Sequence, residues 1–384
     1  MRVDFSRVEL SAEDLAFQQE LREFLADLVT DEVIRRDRET GENFDETVHL
    51  ALGAAGYLAA DYRSEAEGGF TAVRRRIWEL EIGRAGTPWF HWGTTAMVAR
   101  SVEAFGAPEL VERIMPGVLS GELRLCLGYT EPDGGSDVAT CKTRAIRDGS
   151  GWIVNGSKMF TSNAHNAQYV FLITNTDPAA PKHQSLTMFL VPLDCPGVEI
   201  QPIRTVDGDR TNITFYTDVR VGDDHRIGPV NGGWAVLREA LKVEHGTVAR
   251  DDSGLQKLAT MTEHITLTAT AVDRIAGIAE PDFRLGRAVA RLEAAMSSPD
   301  MYGRVAIAQT MRDIAPDLMD ILGTAGALPD GAAGAVDGGG AEYIYRLASP
   351  TGIYGGTLEV FRNMIAAQAL GLPRPVYAPP KGAR

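Results

Sequence analysis

From Leu123 to about Gly228 the chain reads in the β manner, as in YVFLIT, SLTMFLVPL, VEIQPI and ITFYTDVRV, with clusters of Pro, Gly and Asp between the runs. Alternation of period two marks strands, because successive side chains point to opposite faces of a sheet. On either side of this region the spacing is helical. Ser11 followed by Asp14 forms a capping-box pattern, and Phe17, Leu21, Phe24, Leu25 and Leu28 then recur at intervals of three or four. Helical spacing continues past Leu50 to Leu58, breaks at Gly68 and Gly69, and resumes from Arg74 through MVARSVEAF; Pro116, Gly117 and the SGE of 120–122 mark its end. It returns after NGGW at 231–234 and persists, except over LPDGAAGAVDGGGAEY at 327–342, whose glycine and alanine content predicts a mobile surface loop. The order predicts an α+β chain of three units: a helical N-terminal domain over 1–122, a small β-barrel-like domain over 123–230, and a C-terminal helical bundle over 231–384.

A length of 384 residues accommodates two or three domains with a substantial core. The formal charge of −14 argues against nucleic acid or an anionic membrane as partner, since the mean field of the protein repels a polyanion. No segment approaches the ~20 apolar residues of a membrane span, and MRVDFSRVELSAEDL carries no signal-like apolar run, so the expected location is cytoplasmic. Cys126, Cys141 and Cys195 lack CxxC spacing, and the seven histidines form no HExxH pair; neither a disulfide framework nor a metal site is expected. A GxGxxG between strand and helix is also missing, so any dinucleotide must use another device than the βαβ unit.

Within the β region, the stretch from Leu127 to Asn163 reads LGYTEPDGGSD, a short basic passage, then GWIVNGSKMFTSN. Pro132, Asp133, Gly134 and Gly135 cannot continue a strand, whereas Trp152 to Val154 can, which predicts two β segments joined by a turn-rich loop. Such a loop offers backbone N–H groups and the hydroxyls of Thr130 and Ser136 on one rim, and Phe160, Thr161, Ser162 and Asn163 add a ring face and further hydroxyls. An anionic or heteroaromatic ligand suits that rim. An ordinary hairpin with a glycine-rich turn accounts for the composition equally well.

The wording is more specific than the composition. TEPDGGSD followed by NGSKMFTSN closely resembles the signature of the acyl-CoA dehydrogenases, and IYGGTLEVFR at 353–362 with GLPRP after it is a second match in the same order. The resemblance covers nearly the whole chain. It implies the three-domain fold of that family, bound FAD, and α,β-dehydrogenation of an acyl-CoA substrate with electrons passed to an electron-transfer flavoprotein. It places Leu127, Tyr129, Thr130, Gly135, Ser136, Phe160, Ser162, Thr357 and Glu359 around the cofactor: Thr130 at the ring, Ser136 near the pyrophosphate, Phe160 over one ring face and Ser162 near the reactive N5. Phe160 stands where the family usually has Trp, and Ser162 where it usually has Thr; both swaps keep the chemistry. The family's Arg-x-x-Phe-Gly motif is reproduced by neither DRIAG nor FRLGR, which bears on FAD occupancy in a homo-oligomer.

The chemistry needs a carboxylate to take the α-proton. Most of the family carries that Glu directly after the Tyr of IYEGT, where this chain has Gly355. A branch that includes the isovaleryl-CoA dehydrogenases holds it in an L-x-x-E-R context, and ALKVEH offers Glu244, with His245 in place of the Arg. Trp234, Leu237, Leu241, Glu244 and Val248 share one helical stripe, where a carboxylate is costly unless used or paired. Glu244 is therefore either the base or half of an ion pair; Glu359, Asp251 and Asp252 are the rivals. By resemblance the backbone N–H of Gly355 helps hold the thioester carbonyl, and the missing side chain leaves room for a branched or ring-bearing acyl group. IYGGT with LGLPRP resembles bacterial members acting on steroid side chains, some built from two unlike subunits. The resemblance thus implies a homo- or hetero-oligomer, dimeric or tetrameric. Two alternatives stay open: a non-catalytic partner subunit, or a flavin oxidase or monooxygenase of the same fold, which rapid reoxidation of the reduced flavin by oxygen would reveal.

Overall fold

The computed structural model describes residues 9–244, 262–298 and 300–373. Seven helices come first: α1 (Ala12–Leu28), α2 (Asp31–Thr40), α3 (Glu46–Ala54), α4 (Tyr57–Tyr62), α5 (Ala72–Arg84), α6 (His91–Phe105) and α7 (Pro108–Ser120). The capping box at the start of α1 is formed: Ser11 Oγ accepts from Asp14 N at 3.1 Å and donates to Asp14 Oδ2 at 2.7 Å. Ser11→Ala is expected to cost about 1 kcal/mol, read as a lowered midpoint for the unfolding transition of the helical domain. Pro116 does not end α7; it lies inside the helix, which stops at Gly121 with φ 82°.

The strands are β1 (Leu125–Gly128), β2 (Arg144–Asp148), β3 (Gly151–Lys158), β4 (Tyr169–Asn175), β5 (Leu186–Pro192), β6 (Val198–Arg204), β7 (Arg210–Gly222) and β8 (Arg226–Ile227). They pair in the order β6-β7-β3-β2-β4-β5-β8, with β1 parallel to β4. The barrel does not close: β6 and β8 stand at the ends of the path, and the two halves join through a single β2–β4 pair, Arg144 with Asn175. Between the halves lies a core in which Trp152, Val154, Tyr216 and Val221 pack with Val170, Leu172, Phe189 and Val191. The alternate residues of the same strands, Phe171, Ile173, Met188 and Leu190, join the helical core of Trp78, Trp92, Val98 and Ile114. β4 and β5 are thus buried on both faces, which is why YVFLIT and MFLV read as continuous apolar runs.

α8 (Gly233–Glu244) packs Val236, Leu237 and Ala240 into this shared core. The remaining helices, α9 (Thr262–Ile278), α10 (Phe283–Met296), α11 (Asp300–Leu322), α12 (Gly340–Ala348) and α13 (Leu358–Met364), surround a separate core of Val272, Ile275, Leu292, Met311, Ile314 and Leu318. Residues 327–342 are not wholly a loop. Helix α12 begins at Gly340, and Ala341, Ile344 and Leu347 are buried against α11, so the end of the Gly/Ala tract is a helix start made stable by tertiary packing. Among the described residues no helix is long and apolar enough to cross a membrane, and no group of three or more His, Cys, Asp or Glu is gathered for a metal ion.

Candidate active site

The two β segments of the central stretch, β1 and β3, are not paired strands, since β1 pairs with β4 and β3 with β2 and β7; they touch just beyond their ends. Met159 N donates to Thr130 O at 2.8 Å, which sets Phe160 beside Thr130 at the mouth of the sheet. Gly135 folds back onto the same spot, and a Cβ there would stand 3.0 Å from Thr130 Cγ2, so a side chain would have to push Thr130 aside. Phe160 has φ 58° and leaves 53% of its surface exposed. A bulky residue held in the left-handed region, with its ring turned to solvent, is strain of the kind found at ligand sites. Ser162 Oγ lies 3.0 Å from Thr211 Oγ1 on β7.

Directly after it, Asn163 also takes a positive φ, 63°, and is 1% exposed, yet neither atom of its amide has a hydrogen-bond partner. Asn212, fully buried on β7, leaves its Oδ1 unpartnered too, while its Nδ2 donates to Thr161 O at 3.0 Å and lies 3.1 Å from His165 Nδ1. His165 pairs in turn with Glu42, whose other oxygen accepts from Arg210 at 3.1 Å. The segment is therefore tied to the helical domain. Buried polar atoms are almost always satisfied, so unpartnered amides beside an exposed ring and two hydroxyls fit a heteroaromatic ring system with edge donors and acceptors, which is the character of a flavin.

One cluster supports this rim from beneath, and the sequence reading passed over it. Lys158, with no exposed surface, donates to Glu131 Oε1 at 2.8 Å; Glu131 is 8% exposed and also accepts from Lys142 N at 2.7 Å and Thr143 N at 2.9 Å. Cys141 Sγ lies 3.3 Å from both Lys158 Nζ and Glu131 Oε1. Burial alone pushes the Glu131 carboxyl up, but the Lys158 ammonium and these hydrogen bonds outweigh it and hold the group at about 2. Burial likewise pushes the Cys141 thiol up to about 11, making it an inert packing group. Tyr129, Glu131, Gly134, Val138 and Cys141 line a small cleft of ≈ 220 Å³ here. Both charges stand inside motifs whose hydroxyls, glycines and ring drew attention first; a Glu and a Lys each set among buried strand positions was the available signal.

The other expected residues are placed as follows. Leu127 is half-buried in β1 and Tyr129 is buried just after it, whereas Ser136 is exposed on the loop. Thr357 caps α13, its hydroxyl accepting from Val360 N at 3.3 Å. Glu359 is exposed, and its carboxyl is held below the usual range by the backbone N–H of its own residue and by the Thr357 hydroxyl, a capping arrangement at the helix start. Glu244 is the last described residue of α8, in register with the buried Leu237 and the half-buried Leu241; its side chain, together with Val248, Asp251 and Asp252, lies outside the described residues.

Gly355 and Gly356 form a turn with φ 61° and 96°. A Cβ on Gly356 would stand 2.9 Å from the Phe361 ring, so the second glycine is required by packing as well as by conformation. Beneath the turn lies Arg304, 1% exposed, donating to Tyr354 O at 2.8 Å and Gly356 O at 3.3 Å with its guanidinium 5.4 Å from the Phe361 ring centre. The Tyr354 ring forms a wall with Phe90 and His264, and its hydroxyl is 3.3 Å from His264 Nδ1. Burial first, then the nearby Arg304 charge, pushes His264 down to about 4, so it is neutral at pH 7.

Three family models match consecutive parts of the chain: the acyl-CoA dehydrogenase N-terminal domain over 11–122, the middle domain over 126–219 and the C-terminal domain over 242–370. Among curated relatives, acyl-CoA dehydrogenase FadE26 of Mycobacterium tuberculosis is 30% identical over 398 residues, covering 96% of this chain and 99% of its own length. Acyl-CoA dehydrogenase IpdE1 of the same organism is 33% identical over 344 residues, covering 84% and 86%. Among solved structures, the Tcur3481-Tcur3483 steroid ACAD superposes with a TM-score of 0.83 at 29% identity, over 96% of this chain and 100% of that one. The ChsE4-ChsE5 complex of Mycobacterium tuberculosis gives 0.81 at 27% identity, over 96% and 100%.

Proposed function

Because this chain belongs to the acyl-CoA dehydrogenase family, whose members are oxidoreductases that in general depend on FAD, we propose that it binds FAD itself and removes the α- and β-hydrogens of an acyl-CoA thioester. The observation that carries the reading is the rim of Thr130, Phe160 and Ser162 with the unpartnered buried amide of Asn163 beside it. FAD, when bound, supplies the hydride acceptor for the β-carbon. Phe160 would cover one face of its ring, Thr130 and Ser162 would bond its polar edge, and Gly135 lets the loop lie close. Glu244, at the end of α8, would take the α-proton as the thioester carbonyl is held by the Gly355 N–H. Thr357 and Glu359 would serve the cofactor only through the start of α13, since the contacts described for them are local.

The missing side chain at Gly355 supports a bulky, ring-bearing acyl group, in keeping with a similar protein described as a steroid ACAD. Electrons would leave to an electron-transfer flavoprotein. A second reading has its own support in the likeness to the ChsE4-ChsE5 complex: the chain would work as one of two unlike subunits, with the part played elsewhere by Arg-x-x-Phe-Gly supplied by the partner.

Replacing Phe160 with Ala tests the ring contact. An aromatic contact of this kind is worth roughly 1 kcal/mol, so FAD should dissociate about fivefold more readily while the fold, which leaves that ring exposed, is kept. Equilibrium dialysis against FAD measures it. Unchanged affinity would remove Phe160 from the cofactor site.

A further inference from the structure

The turn that presents Gly355 is not left to its own conformational preferences. In a trans peptide the carbonyl and the N–H of one amide point in opposite directions, and the Tyr354 carbonyl belongs to the same amide as the Gly355 N–H. Among the described residues no cis peptide bond occurs, and nothing accepts a hydrogen bond from the Gly355 N–H. Arg304 Nη2 reaches the Tyr354 carbonyl at 2.8 Å and the Gly356 carbonyl at 3.3 Å, so one buried guanidinium holds the carbonyls on both sides of Gly355. The other end of Tyr354 is held by His264. Two consecutive glycines at positive φ would otherwise give this segment wide freedom.

We infer that Arg304 is a positioning residue for catalysis: by binding the Tyr354 and Gly356 carbonyls from below, it fixes the plane of the Tyr354–Gly355 amide and aims its N–H outward at the thioester carbonyl of the substrate. A charged donor on the carbonyl of an amide also draws electron density from its nitrogen, which makes that N–H a stronger donor, as cooperative hydrogen bonds do. The guanidinium acts only through the peptide and touches no substrate atom. Arg is suited to the task because the two N–H bonds of Nη2 are fixed in the guanidinium plane and can each serve one carbonyl, whereas a lysine ammonium is a point charge on a flexible stem. The inference rests on the proposed role of Gly355.

The test is the infrared carbonyl band of cinnamoyl-CoA, isotope-labelled at the thioester carbonyl, at saturation on the FAD-loaded protein. Bound to wild type, the band should move to lower frequency than in water, because the donor draws charge onto the oxygen. In Arg304→Lys, which keeps the charge but not the fixed planar N–H directions of Nη2, most of that displacement should be lost. Its kcat should fall roughly tenfold, a fraction of the 10²–10³ that a whole oxyanion donor is worth, with KM little changed. If the Lys variant does not fold, Phe361→Leu removes the ring against which the guanidinium packs and should give an intermediate displacement. A wild-type displacement that persists undiminished in either variant overturns the role of Arg304 alone. A wild-type protein that binds cinnamoyl-CoA with no displacement overturns the role of Gly355, and the inference falls with it.

Discussion

Lys158→Met should lower stability by about 3–5 kcal/mol, because it removes one partner of a buried ion pair and leaves the other charge uncompensated. The methionine fills the space of the lysine stem, so the loss is electrostatic and not a cavity. The pH dependence separates this cause from loss of packing. In the wild type the Glu131 carboxyl, at about 2, is depressed below its unfolded value of 4.5, so its stabilisation is complete above about 5 and is lost as pH falls toward 2. Without Lys158 its charge and hydrogen bond no longer oppose the burial that raises Glu131, so the carboxyl should rise toward its unfolded value and the loss of stability in acid should flatten in the variant. Thermal melts of both proteins across this range measure the effect. Parallel curves would show that Lys158 contributes packing alone. Because Lys158 ends β3 and Glu131 directly follows Thr130, the variant should also retain less FAD.

Glu244→Gln keeps volume and hydrogen bonding and removes the proton acceptor. If Glu244 is the base, acyl-CoA oxidation should drop by about 10² to 10⁴, the usual worth of a positioned general base, with fold and flavin content intact. If Glu244 is half of an ion pair, the same change should lower stability and leave turnover nearly unaltered. Stopped-flow reduction of the flavin together with a melting curve distinguishes the two outcomes. Full turnover in the variant would turn attention to Asp251. Glu359 is the weaker rival, because its carboxylate is exposed and engaged in capping α13.

The division into helix, sheet and helix was legible because each region obeys one period over many residues, and the capping box of α1 was legible because it depends on two residues three apart. What failed was local chemistry overridden by packing: Pro116 sits inside α7, and the Gly/Ala tract starts a helix because Ala341, Ile344 and Leu347 find a core. The open sheet was not legible, since closure depends on which strands meet at β2 and β4 and not on the pattern within either. Thr130, Phe160 and Ser162 were singled out through the wording of two motifs; in the structure Met159, next to Phe160, bonds Thr130, and Ser162 bonds Thr211 on β7. Glu131, Lys158 and Arg304 were missed because each acts through a contact with a residue far away in sequence, Arg304 with Tyr354 and Gly356 about fifty positions on. A charge buried by such a contact looks, along the chain, like any surface charge.

The central claim, that this chain holds FAD and uses it on an acyl-CoA, is tested most directly by anaerobic titration of the purified protein with a steroid-derived acyl-CoA, first alone and then with an unlike acyl-CoA dehydrogenase subunit added, following the visible absorption band of the flavin. The account predicts a flavin band in the protein that bleaches on addition of the thioester and returns when an electron acceptor is supplied. Protein that takes up no flavin in either form, or whose flavin band is untouched by the thioester, would contradict it.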